Sequence, residues 1–193
     1  RQRTAGPLGL RALDDLAGSS TNYLDNGNLM TSPCALPLLP LLAAALDARS
    51  DLLPRLAAEQ TDAYRLFHGT VEGMPGLTID RYGNLLLVQT FHQSLDAATQ
   101  EAIGTFYQEH FPDLVPIYND RSQGNSRIAN TLTPDELAAA TQPRVAREMG
   151  VSYAIQARHG GQDPWLFLDL RAGRRRVMAE AAGKSVLNLF AYT

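Results

Sequence analysis

Cysteine is almost absent from these 193 residues. Cys34 stands alone, so no internal disulfide forms and no thiolate cluster can hold zinc or an iron–sulfur centre. A lone thiol suits a reducing compartment, and a cytoplasmic setting is expected. Long apolar runs are missing too. The longest, Cys34 to Leu46, is interrupted by Pro37 and Pro40 and falls short of the roughly 20 residues that span a bilayer. No basic segment directly precedes it, as one would in a secretory signal. A positive net charge is also lacking. The formal charge is −3, which excludes a bulk polycation that coats nucleic acid non-specifically. His68, His92, His110 and His159 show no metal-ligand spacing, so no metal site is expected. No Gly-x-Ser-x-Gly elbow, phosphate-binding Gly-Lys-Ser/Thr loop or zinc-protease helix occurs.

Hydrophobic residues make up 45% and charged residues 19%, ordinary values for a chain with a sizeable core. The length suits one large domain or two small ones. The charge is uneven. Between Arg121 and Arg176 nine arginines (121, 127, 144, 147, 158, 171, 174, 175, 176) face five acids. A locally basic face and a set of solvated arginines both fit that excess.

Residues 1–33 read as loop with one short helix at Leu8 to Leu16. Helices are predicted at Leu38 to Ala48 and Asp51 to Gln60, the second capped by Ser50. Three strands follow: Tyr64 to His68, Leu77 to Arg81 and Leu85 to Thr90. Turn residues Glu72 to Gly76 and Tyr82-Gly83-Asn84 separate them, which makes an antiparallel meander. Ser94 opens a helix in which Leu95, Ala98, Ala102, Ile103, Phe106 and Tyr107 recur at helical spacing. A strand is predicted at Asp113 to Tyr118, a loop at Asn119 to Thr131, and a helix start at Thr133-Pro134-Asp135-Glu136. Strands are expected at Val151 to Ala157 and Trp165 to Leu168. A helix runs from Asp169 or Leu170 to Ala182, with Gly183 as its stop. The apolar run Ser185 to Phe190 reads as a buried strand of a parallel sheet.

Three places could carry chemistry. The first is the carboxyl end of that last strand, with Asn188, Phe190, Tyr192 and Thr193, where doubly wound sheets bind ligands. An apolar strand with no such role is the alternative. The second is Asp169 with Arg171, Arg174 and Arg175. The aspartate suits a helix start, and the arginines share a face that could grip a carboxylate or phosphate. A capped, solvent-facing helix is the alternative. The third is His68 with Arg65 and Glu72, which reads more simply as a structural histidine because no nucleophile lies near it.

The run Tyr64 to Asn84 resembles the start of the middle domain of bacterial and archaeal large-subunit ribosomal RNA methyltransferases. Val115-Pro116-Ile117-Tyr118-Asn119-Asp120-Arg121-Ser122 is similar to the strand after that domain's helix. Phe167-Leu168-Asp169-Leu170-Arg171-Ala172-Gly173-Arg174-Arg175 resembles the family's Phe/Tyr-Leu-Asp-Gln/His-Arg-x-x-Arg-Arg element, with Leu170 in place of the usual polar residue. Val186 to Thr193 resembles its first cofactor-binding strand. Residues 1–60 do not resemble the RNA-binding PUA domain that many members carry.

The resemblance implies a class I S-adenosylmethionine enzyme that methylates 23S rRNA at cytosine C5 or guanine N7. It implies an α+β fold in three parts. Residues 1–61 form an N-terminal loop and helical segment. Residues 62–168 form a strand-strand-helix-strand-strand RNA-binding domain. Residues 169–193 start a Rossmann-like methyltransferase domain. Asp169, Arg171, Asn188, Phe190, Tyr192 and Thr193 would then face the cofactor, and Arg174 and Arg175 the RNA. Both termini look cut, catalytic residues are expected beyond Thr193, and S-adenosylmethionine is expected to bind these residues poorly by themselves. Two other functions remain open: a non-catalytic RNA-binding or interaction module, and a methyltransferase with a substrate other than rRNA.

Overall fold

The computed structural model describes residues 35–161 and 163–187. The helix expected at Leu8 to Leu16 lies outside them. The chain divides into units 1–30 and 31–193, and every described residue belongs to the second. In chain order the elements are α1 (Ala35–Asp47), α2 (Leu52–Ala58), β1 (Ala63–His68), a single turn α3 (Gly69–Glu72), β2 (Leu77–Tyr82) and β3 (Leu85–Thr90). Then come α4 (Ala97–His110), β4 (Val115–Asp120), α5 (Pro134–Thr141), β5 (Arg144–Glu148), β6 (Val151–Ile155) and α6 (Arg171–Glu180).

One sheet has the order β1-β2-β3-β4. The first three strands form the expected antiparallel meander, in which Arg65 lies opposite Asp80 and Ile79 opposite Val88. β4 pairs parallel to β3, which needs a crossover, and α4 supplies it. Every residue of β3 is buried. Side chains alternate along a strand, so Leu86 and Val88 enter one core while Leu85 and Leu87 enter another. The first core gathers Leu38, Leu42 and Ala45 of α1, Leu56 of α2, and Ile103 and Tyr107 of α4. The α1 positions follow helical spacing, so one face of the helix lies on the sheet. The second core joins Ala140 of α5, Ala146 and Ile155 of the β5–β6 hairpin, and Leu166. The sheet is therefore a middle layer covered on both faces.

Polar contacts fix the register. Arg65 grips Asp80 with two bonds of 2.7 and 3.0 Å. Burial pushes the Asp80 carboxyl up, and the arginine only partly pulls it back. Arg49, in the turn after α1, pairs with Glu72, whose other oxygen accepts from the His68 amide at 2.6 Å. Gly83 turns the β2–β3 connection with φ +59°, and a Cβ there would lie 2.4 Å from the Val145 carbonyl oxygen. The β5–β6 hairpin thus rests directly on this turn, a closeness only glycine permits.

Several boundaries differ from expectation. α2 is capped at Asp51, not Ser50, and without a side-chain bond. α4 starts at Asp96, whose carboxylate accepts from the Thr99 amide at 2.7 Å, while Ser94 bonds Asp120 instead. Asp and Ser cap about equally well, so the choice follows from Ser94 being drawn to the end of β4, which leaves Asp96 to cap. β4 spans Val115–Asp120 and so takes in two residues expected to be loop. At Thr133 the expected start is a full capping box: Glu136 N donates to Thr133 Oγ1 at 3.3 Å, and Thr133 N to Glu136 Oε2 at 2.7 Å. β5 was not expected. Its buried positions are Arg144, Ala146 and Glu148, whereas Val145 is exposed, so the apolar pattern is inverted.

Trp165 to Leu168 is not a strand. Trp165 has φ +65°, a left-handed conformation costing about 1–2 kcal/mol for a non-glycine residue, and this breaks the extended run. Buried Pro164 and Leu166 anchor the chain on either side, with Tyr82 Oη donating to the Leu166 carbonyl at 3.1 Å. The strand expected from Ser185 is not formed over 185–187. No described strand lies beside these residues to complete a ladder, and Val186 and Leu187 are exposed. Asn188, Phe190, Tyr192 and Thr193 lie outside the described residues.

Candidate functional site

The arginine-rich helix α6 carries most of the sequence-nominated residues. Asp169 does not cap it. Asp169 is exposed inside a 3-10 turn at Leu168–Leu170, whereas the N-cap of α6 is Leu170, and neither cap position has a side-chain bond. Arg171 and Arg174 lie three residues apart and share a face. Both converge on Glu148, the fully buried last residue of β5. Arg171 Nε reaches Glu148 Oε2 at 2.8 Å, and its Nη2 donates to the Ala63 carbonyl. Arg174 Nε reaches Glu148 Oε1 at 2.5 Å and its Nη2 reaches Oε2 at 3.0 Å. The same Nη2 also donates to the Phe167 carbonyl at 2.8 Å. Arg175 forms a two-bond fork with Glu59, the C-cap of α2, at 2.9 and 3.0 Å.

Burial alone would push the Glu148 carboxyl up. The hydrogen bonds from Arg174 and Arg171 outweigh it and hold the group below the usual carboxylate range. Glu59 is held low chiefly by the Arg175 bonds. α6 has no buried residue. Ion pairs and carbonyl contacts therefore attach it to α2, β1 and β5. Its Val177 and Met178 remain about half exposed, as does Leu170 before it.

The remaining arginines of the basic segment are also largely engaged. Arg158 donates to Asn119 Oδ1 at 2.7 Å and to Asn130 Oδ1 at 2.7 Å. Arg121 meets Asp163 at 3.0 Å and lies over the Phe91 ring. Arg144 is buried, bonded to Asn84 Oδ1 at 3.0 Å and the Ala139 carbonyl at 3.1 Å, and burial pushes its pKa down. Arg127 and Arg147 are exposed. The arginine excess is thus spent mostly inside the fold, between the solvated and basic-face readings. His68 has a buried Nδ1 with no hydrogen-bond partner, so the satisfied structural histidine expected there is not what the ring shows.

No family model matches the chain. Curated relatives do. A ribosomal RNA large subunit methyltransferase of Deinococcus radiodurans is 31% identical over 159 residues, 79% of this chain and 38% of that protein. Ribosomal RNA large subunit methyltransferase I of Shewanella amazonensis is 35% identical over 136 residues, 67% of this chain and 33% of that protein. Its Escherichia coli counterpart is 32% identical over 140 residues, 68% of this chain and 33% of that protein. The chain spans about a third of the length of the curated relatives it matches. Among solved structures, a methyltransferase complexed with SAH aligns with a TM-score of 0.55 at 21% identity, covering 77% of this chain and 36% of that one. A SAM-dependent methyltransferase from Streptococcus mutans aligns equally well. These two likenesses speak to the fold, a mixed α/β arrangement.

The Arg171 guanidinium is committed to Glu148 and Ala63, and Asp169 stands exposed on its turn. No group of three or more metal-ligating side chains occurs among the described residues. No described helix is long and apolar enough to cross a membrane. What the arrangement does is hold a charged helix at a fixed angle against the sheet domain. Sequence reasoning missed Glu148 and Glu59, the residues that do the holding. Both lie far from α6 in the chain, so no local motif marks them.

Proposed function

We propose that this chain works within an S-adenosylmethionine-dependent methyltransferase acting on large-subunit ribosomal RNA, at cytosine C5 or guanine N7. Residues 62–168 serve as the RNA-positioning domain, and residues 169–193 lead into the methyltransferase domain. The observation that carries this reading is the identity of 31–35% to three proteins of that name, across two-thirds or more of the chain. The geometry supports it: α6 directly follows the sheet domain and is fixed to it through Glu148 and Glu59. Asn188, Phe190, Tyr192 and Thr193 would meet the cofactor, and Arg174 and Arg175 would border the RNA groove while anchored. Arg171 acts from one step back, keeping the helix in place beside the cofactor.

The test is chemical. The gene is disrupted in its host, and modified nucleosides of the 23S RNA are quantified by mass spectrometry. Loss of one 5-methylcytidine or one 7-methylguanosine, restored by the intact gene, is the expected result. Retention of every methyl group on 23S RNA overturns the reading. A methyl group lost from another RNA or a protein instead establishes the alternative substrate.

A further inference from the structure

The chain has a single tryptophan, Trp165, and the fold spends backbone strain to present it. Its left-handed φ of +65° turns the indole outward between the buried Pro164 and Leu166, leaving it 38% exposed. The His159 ring backs it, with centroids 4.3 Å apart and planes tilted by 32°. Both histidine nitrogens are fixed. Nδ1 accepts from the Gly161 amide at 2.8 Å, so Nε2 carries the proton and donates to the Asp163 carbonyl at 2.5 Å. The histidine is thus a rigid plate beneath the indole.

Trp165 also borders an open pocket of about 370 Å³ whose other walls are Ser152, Tyr153 and Ala154 of β6. That volume is at the small end of ligand pockets, suited to a single flat heterocycle. β6 pairs only with β5, so its outer edge offers backbone donors and acceptors with no ladder partner among the described residues. An aromatic face and unpaired hydrogen-bonding groups match two parts of a nucleotide: base face and base edge.

From this combination we infer that the Trp165–Tyr153 pocket is a stacking site for one unpaired nucleobase of single-stranded RNA. The site holds the RNA strand by an extruded base and takes no part in methyl transfer. This deepens the proposed function and rests on its RNA substrate.

The test uses octauridylate, whose bases stack weakly on one another, and the chain's own tryptophan emission. Binding is followed by fluorescence anisotropy of a labelled oligonucleotide, and stacking by quenching of the one indole. The expected result is binding with quenching, weakened about tenfold in Trp165→Ala and largely kept in Trp165→Phe. An octamer of abasic residues should not quench. Octauridylate that binds without changing the indole emission overturns the site while leaving the RNA reading intact. Quenching by the abasic octamer as strong as by octauridylate also overturns it. Absence of any RNA binding overturns the RNA reading and the site with it. The emission measurement needs no substitution, so a variant that fails to fold does not decide the matter.

Discussion

Replacing Glu148 by alanine should release α6 while the sheet domain stays folded. Glu148 is fully buried and accepts three charge-assisted bonds from Arg171 and Arg174, at 2.8, 2.5 and 3.0 Å. Removing one side of a buried ion pair costs about 3–5 kcal/mol, because the remaining charges lose their partner. Here the arginine side chains keep 19% and 24% exposure, so water takes up part of the loss. That places the effect near the low end, at about 3 kcal/mol. The loss should be local, because α6 buries no residue and contributes nothing to either hydrophobic core. Hydrogen exchange read by mass spectrometry checks this directly. Amides 174–180 should exchange on the order of 100-fold faster in Glu148→Ala, with β2 and β3 protection unchanged. Glu148→Gln keeps the shape and one acceptor but loses the charge, so it should fall between. Unchanged α6 exchange in Glu148→Ala would show that contacts other than the ion pairs hold the helix. Equal loss of protection in β3 would show that α6 belongs to the cooperative core.

Acid should reproduce the same release. Glu148 and Glu59 are both held below their ordinary value of 4.5, so their contribution is complete above that value. It is lost as the pH falls below the ordinary value and through the lowered folded ones, and α6 protection corrected for intrinsic exchange should start to drop only in that acid range. Loss beginning near neutrality would contradict it. Gly83→Ala places a methyl 2.4 Å from the Val145 carbonyl oxygen at a positive φ. It should lower the melting temperature by at least about 3 °C, the shift for about 1 kcal/mol at this size, and a calorimetric scan with no shift would refute the contact. Thr133→Ala removes half of the α5 capping box and should cost about 1 kcal/mol in urea denaturation, while Thr133→Ser should cost little.

The sheet was largely legible. Leu77 to Tyr82 and Leu85 to Thr90 flank a tight Gly83-Asn84 turn, and local chemistry decides such a hairpin. Thr133-Pro134-Asp135-Glu136 was legible for the same reason. β5 was not, because its inward residues are Arg144, Ala146 and Glu148, and their burial is made tolerable by partners distant in the chain. Trp165 was misread because Trp-Leu-Phe-Leu has strand composition while one left-handed residue breaks the run. The arginines of α6 were correctly placed on a helix and on shared faces. Their partners were not foreseeable, since Glu59 and Glu148 meet them only once the tertiary structure exists.

The two edges of β3 close on different clocks. Its ladder with β2 needs only the turn at Gly83-Asn84, a local event on the microsecond scale. Its parallel ladder with β4 must wait for residues 91–114 to fold back through α4, which carries a larger loop-closure entropy. The meander is therefore expected to form first, with docking of α4 and β4 following. Conservative substitutions such as Leu87→Ala should slow refolding, whereas Ile117→Val in β4 should mainly hasten unfolding. Until β4 arrives, β3 exposes a six-residue edge that opens with four apolar residues, and that interval is when two nascent chains are most prone to pair with each other.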